Sequence, residues 1–184
     1  TAVEKNVAEV EAFADVDAWP WGEETGGLRV ALVPSSPTAT LYPARTGTPT
    51  VQVQVTVALR NTTAGPLAVN LYEWDRHLTV YVVAVDGAAV KYDMYSYLEQ
   101  SRKRKQPFGP DAVEVIPAGE MLLIGPAGAT KYGLGLHLPL TAGKWNIQAA
   151  YETNRKGAAK GGQPLWTGKV VSASAQIEVR PARR

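Results

Sequence analysis

The chain contains no cysteine, which excludes disulfides, thiolate metal sites and cysteine nucleophiles. Histidine is nearly as scarce. Only His77 and His137 occur, and no acidic spacing beside either completes a metal-ligand set. No apolar run approaches the roughly 18 residues that cross a bilayer as a helix, so no transmembrane segment is expected and the chain reads as soluble. Two chemical signatures are also missing: the Gly-x-Ser-x-Gly elbow of serine hydrolases and the Asp-x-Asp-x-Asp-Gly calcium loop. Nor does a methionine stand first. Thr1 is expected of a processed or trimmed chain, and signal-peptide removal or truncation would each produce it.

What is present fits an ordinary globular domain. The 184 residues are 45% hydrophobic and 20% charged, enough for one domain with a real core and an appended arm. The formal charge of +2 hides an asymmetry. Residues 1–24 hold Glu4, Glu9, Glu11, Asp15, Asp17, Glu23 and Glu24 against Lys5 alone, while the rest of the chain is strongly basic. Solvated surfaces account for such runs, and so does an acidic arm laid on a basic face of the body or of a partner. In the arm, Val3, Val7, Val10 and Phe13 recur at helical steps between the acids. A short amphipathic helix that needs a surface to lie on and an extended tail both fit that spacing.

The body alternates with period two, the pattern of half-buried strands. Over Thr50–Asn61, Val51, Val53, Val55, Val57 and Leu59 point one way; Gln52, Gln54, Thr56, Ala58 and Arg60 point the other. Asn61–Pro66 is a turn by composition. Leu67, Val69 and Leu71 continue the alternation, and Leu78–Val85 runs to Asp86-Gly87, a two-residue hairpin signal returning through Ala88–Tyr92. Further strands are expected over 112–116, 121–124 and 131–138 and on Trp145, Ile147, Ala149 and Tyr151, with turns at Pro117–Glu120 and Ala142-Gly143 and a loop tip at 154–164. The last strand is expected to alternate through Val171, Ala173, Ala175, Ile177 and Val179. About eight to ten short strands with uneven turns predict an all-β Greek-key sandwich. The division is arm 1–24, sandwich 25–181 and basic tail 182–184.

Between Tyr92 and Pro110 the alternation stops. The stretch is polar, basic and bounded by prolines, and reads as a long exposed loop. Arg102, Lys103, Arg104 and Lys105 form a cationic run flanked by Tyr95, Tyr97 and Phe108. Phosphate contact by such a run is salt-sensitive and unspecific, so nucleic acid is not the expected partner. A solvated tip explains the run, and a protein-binding loop explains both its cations and its aromatics.

Ala18–Pro34 sets Trp19 and Trp21 beside Glu23-Glu24 and Gly26-Gly27. Carboxylates adjacent in sequence diverge, whereas glycoside chemistry needs two facing each other roughly 5–10 Å apart. The tryptophans are expected to cap one end of the sandwich, and the glycines to turn the chain into the first strand. Asp75-Arg76-His77 is the one cluster of catalytic type, and it lacks a nucleophile. No catalytic residue, metal site or cofactor is expected.

Trp21-Gly22-Glu23, Gly27-Leu28-Arg29-Val30, Val55–Asn61 and Pro66-Leu67-Ala68-Val69 form an ordered series, closed by Pro117–Glu120, Ala142–Trp145, Trp166-Thr167-Gly168 and Val171-Ser172. It resembles an immunoglobulin-like β-sandwich domain of uncharacterised bacterial envelope and secreted proteins, over about residues 19–180. The resemblance implies an extracytoplasmic location (periplasmic, cell-surface or secreted). It also implies a non-enzymatic binding or assembly module that contacts a protein partner, not a small molecule. The expected contacts are Tyr95, Tyr97, Arg102–Lys105 and Phe108 of the loop, and Val3, Val7, Val10 and Phe13 of the arm. Residues 50–151 are also similar to the bacterial intracellular proteinase inhibitor family, which implies inhibition by a protruding loop, although Tyr92–Pro110 departs from that pattern. Carbohydrate binding through exposed aromatics is the third expectation.

Overall fold

The computed structural model describes residues 15–41, 51–71, 78–84, 89–92, 113–124, 134–138, 140–154 and 156–182. In chain order the strands are β1 (Leu28–Pro34), β2 (Thr38–Leu41), β3 (Val51–Asn61), β4 (Leu67–Asn70), β5 (Leu78–Ala84) and β6 (Ala89–Tyr92). They continue as β7 (Val113–Ile116), β8 (Met121–Ile124), β9 (Leu134–Leu138), β10 (Gly143–Thr153), β11 (Gly168–Val171) and β12 (Ala175–Pro181). One 3-10 turn, Val16–Ala18, precedes them. The architecture is an all-β sandwich.

Two eleven-residue strands, β3 and β10, are the spines of the two layers. One edge of β3 carries β1, and its other edge carries β8 and β9. One edge of β10 carries β11 and β12, and its other edge carries β5, which pairs with β6. β2 joins the layers by pairing parallel to β12 and meeting β3 at Leu41–Val51. β4 and β7 form a separate two-stranded ribbon.

The alternating valines of β3 are buried, as its period requires, and pack with Leu28, Val30 and Leu32 of β1 against Ile147, Ala149 and Tyr151 of β10 and Ile177 and Val179 of β12. At about 1.5–3 kcal/mol for each fully buried aliphatic side chain, this interior is what offsets the backbone entropy of so many short strands. The opposite face of β3 splits in two. Gln52 and Gln54 are exposed, but Thr56 and Ala58 are fully buried.

Over Ala58 lies a second apolar cluster. Trp19 and Trp21 lie with Leu123 over Ala31 and Ala58, which face each other across β1 and β3. The tryptophans therefore cover the outer face of the β1-β3-β8 layer, not an end of the sandwich. Alternation within one strand cannot report a cover supplied from elsewhere in the chain. Ala68 and Asn70 of β4 are buried beside Val69, and the 157–166 segment runs along the edge of β4, with Trp166 N–H donating to Ala68 O at 2.8 Å.

Two other expectations shift. Val83 faces Ala89, one residue off the register that a two-residue turn at Asp86-Gly87 sets. The run 166–179 is two strands, because a bulge separates β11 from β12. Between the pairs Ala150–Val171 and Ile147–Ala175, β10 advances three residues while its partner advances four. The extra residue inverts the faces, so Val170 and Ser172 are buried and Val171 is exposed. The 154–164 segment closes on itself through Ala159 N–H to Gln163 O and Leu165 N–H to Gly157 O (2.8 and 2.9 Å).

Candidate functional site at one end of the sandwich

Three turns and the root of the N-terminal arm converge where β1 begins and β3 ends. Gly26 and Gly27 have φ of 56° and 79°, the paired positive values of a tight two-residue hairpin, and Thr25 and Leu28 exchange both backbone hydrogen bonds across it. The expected turn into β1 is thus present. It is locked to the next turn by Thr62 N–H donating to Gly27 O at 2.9 Å.

That second turn is organised by Asn61, which is fully buried. Its Oδ1 accepts from Thr63 N–H and Oγ1 at 2.9 and 2.8 Å. Its Nδ2 donates to Gly65 O at 2.7 Å and to Ile116 O and Pro117 O at 2.9 and 3.1 Å. One amide therefore satisfies the carbonyls of two turns distant in sequence, which is how a buried polar side chain avoids a desolvation penalty. The Pro117–Glu120 turn carries the chain from the β4–β7 ribbon into the β3 layer at this point.

Tyr151 and Trp166 tie the same end together through the interior. Their rings lie 5.5 Å apart; Trp166 Nε1 donates to Thr25 O at 3.1 Å, and Tyr151 Oη donates to Asn70 O at 2.8 Å. Asn70 in turn faces Val113, the first residue of the strand that returns from the 92–112 segment. Burial pushes the Tyr151 phenol well above the ordinary tyrosine range, so it remains a neutral donor.

The arm's root is held as firmly. Gly22 N–H donates to Val30 O at 2.9 Å, and Ala173 N–H, freed by the bulge, donates to Pro20 O at 3.1 Å. A Cβ at Gly22 would fall on the Val171 carbonyl, so only glycine permits this approach. Trp21 Nε1 donates to Val16 O at 2.8 Å. Its ring lies 6.0 and 5.8 Å from the guanidiniums of Arg29 and Arg60, within cation–π range. Arg60 also bonds Asp17 at 2.7 Å, an exposed pair that contributes about 0–1 kcal/mol.

The residues singled out from sequence divide cleanly. Glu23 and Glu24 are exposed on the hairpin limb. His137 lies in β9 at the register position opposite Gln52. Val3, Val7, Val10 and Phe13, the loop residues Tyr95, Tyr97, Arg102, Lys103, Arg104, Lys105 and Phe108, and Asp75-Arg76-His77 lie outside the described residues. Sequence reasoning missed Asn61, Tyr151 and Ser172. The first had a signal, since Asn-Thr-Thr after a strand is a side-chain-capped turn. The others had none, because the partners that matter to the fold, Ala149 for Ser172 and Asn70 for Tyr151, are 23 and 81 residues away. Among the described residues no group of three or more His, Asp or Glu side chains is placed to hold a metal ion.

No family model matches the chain, and no curated protein matches it at a significant level. Among solved structures, a Northeast Structural Genomics Consortium target is similar at a TM-score of 0.42, with 8% identity over 83% of this chain and 86% of that one. A Bordetella pertussis protein provisionally named ApaA gives 0.41, with 13% identity over 88% and 96%. A β-glucosidase from Listeria innocua, solved with gluconolactone, gives 0.33 with 14% identity, and the match spans 88% of this chain but 17% of that one. Likenesses this distant assign nothing further, and the all-β fold rests on the strand pairing itself.

Proposed function

We propose that the chain is a non-enzymatic, extracytoplasmic binding or assembly module of immunoglobulin-like type, acting by protein–protein contact. The observation that carries the reading is the chain of contacts Thr25–Trp166–Tyr151–Asn70, which links the arm's hairpin to the position opposite Val113. The hairpin that follows the acidic arm and the strand that begins at Val113 thus meet at one end of the sandwich, which supports the reading. Long segments on a rigid scaffold are where binding residues concentrate. Opposite charges on neighbouring segments would steer and orient a partner more than they would add affinity. The immunoglobulin-like assignment is supported by β2, which leaves the β3 layer and pairs parallel to the last strand of the other layer. The motif residues Gly22, Gly27, Asn61 and Trp166 all have structural work in the fold, as a scaffold reading requires.

Contact is proposed through Tyr95, Tyr97, Arg102–Lys105 and Phe108, and through Val3, Val7, Val10 and Phe13. The test is affinity purification from native extract at low and high salt, with the charge-reversed variant of residues 102–105 alongside. A stoichiometric partner lost at high salt and lost with the variant is expected. A partner that ignores both changes would remove the loop from the reading. No partner in either salt, with inhibition of a protease panel or binding to a glycan array, would replace it.

A further inference from the structure

Asn61-Thr62-Thr63 is the chain's one Asn-x-Ser/Thr triplet, the acceptor pattern for N-linked glycans. Such an acceptor normally sits on an open loop. Here the acceptor nitrogen is the most heavily used donor of the turn, shared among Gly65 O, Ile116 O and Pro117 O. The residue is fully buried, and the Thr63 hydroxyl that completes the triplet is itself bonded to Asn61 Oδ1 and Gly65 O, at 2.8 and 2.7 Å.

We propose that Asn61 accepts an N-glycan only in the unfolded chain, so that glycosylation and folding exclude each other. In the transfer, Nδ2 forms a bond to the anomeric carbon of a lipid-linked oligosaccharide, loses one proton and displaces the lipid pyrophosphate. The product keeps one N–H where three carbonyls now share two, and a sugar must leave from a site that has no opening to solvent. The turns at 61–66 and 116–120 cannot both close around it, because that amide bonds carbonyls of both, and the one other bond between them, Asn61 N–H to Glu120 O at 2.9 Å, comes from the same residue. The consequence concerns the route of the protein. Where an oligosaccharyltransferase meets the chain during export, folding must outrun transfer, or the modified fraction is lost. This inference stands on the Asn61 site alone and is independent of the binding-module reading.

The test uses the full chain with a purified oligosaccharyltransferase and a lipid-linked oligosaccharide donor. One sample is folded beforehand; the other is diluted from urea directly into the reaction. The expected result is an endoglycosidase-sensitive mobility shift in the second sample, with occupancy at least about tenfold lower in the first, since access requires opening of a buried turn. The glycosylated fraction should be degraded by a brief protease pulse that the unmodified fraction survives, and Thr63→Ser, which keeps both triplet and hydroxyl, should behave as the parent. Equal occupancy in the two samples, no occupancy in either, or a glycosylated fraction as protease-resistant as the parent would each overturn the proposal.

Discussion

Single buried side chains set local stability, and two of them, Tyr151 and Thr56, allow sharp tests. Tyr151→Phe removes the Oη donor to Asn70 O and should cost about 1 kcal/mol in chemical denaturation. The same substitution isolates a pH effect. The folded phenol titrates above its unfolded value of 10.0, so its contribution is complete below about pH 10 and declines as pH rises beyond it. The stability gap between parent and variant should therefore stay constant from pH 7 to 9, narrow above pH 10 and reverse by about pH 11.5. Thr56 makes the opposite case. Its hydroxyl is buried on the outer face of β3 with no hydrogen-bond partner among the described residues. Thr56→Val replaces it with an isosteric methyl that β-strands favour, and should raise stability by up to about 1 kcal/mol. A loss on that substitution would mean that the hydroxyl is satisfied in solution.

Elements differ in how they are held, and in the bulge between β11 and β12 one serine bonds back across the gap. Ala149 N–H donates to Ser172 Oγ at 2.9 Å, and Ser172 N–H donates back to Ala149 O at 2.8 Å. The hydroxyl stands in where the extra residue interrupts the ladder. Ser172→Ala leaves a buried backbone donor unmet and should cost about 1–3 kcal/mol. It should also speed exchange of the Ala149 amide, a readout that a purely local packing change would not move. The segment 15–22 is an element of the same kind, with no regular strand of its own but two indoles on the sheet. A chain lacking residues 1–22 should unfold at a clearly lower temperature than one lacking residues 1–14. The difference between the two reports the Trp19–Trp21 cover, about 3–5 kcal/mol by analogy with large-to-small core changes.

Across the whole molecule, the two layers communicate at a few places. β2 bridges them at one end, and the Thr25–Trp166–Tyr151–Asn70 series and the Asn61 lock hold the other. Trp166→Ala should therefore do more than leave a cavity. It should loosen the arm's hairpin and the ribbon together, seen as faster amide exchange in both 22–28 and 67–70, besides a loss of about 3–5 kcal/mol. Charge acts at this scale too. Glu178 is held below the usual carboxylate range by Arg180 at 2.7 Å, but the pair is exposed, so added salt should change parent stability little. Strong salt dependence is expected only in partner binding.

Most strands could be read from the sequence because side-chain alternation is a local property. Val51–Leu59 declare one buried face whatever lies above them, and Gly26-Gly27 makes a tight positive-φ turn without the steric cost that most residues would meet there. The sequence alone also determined that no thiol chemistry is possible. Other features were decided only when distant segments met. Ala58 is buried because two tryptophans from another part of the chain cover it. The last run breaks in two because β10 pairs with it in two registers. Asn61 is a lock and not merely a turn residue because Ile116 and Pro117, more than fifty residues away, bring their carbonyls to it. Local pattern states which way a side chain faces; only the packed molecule states what it faces.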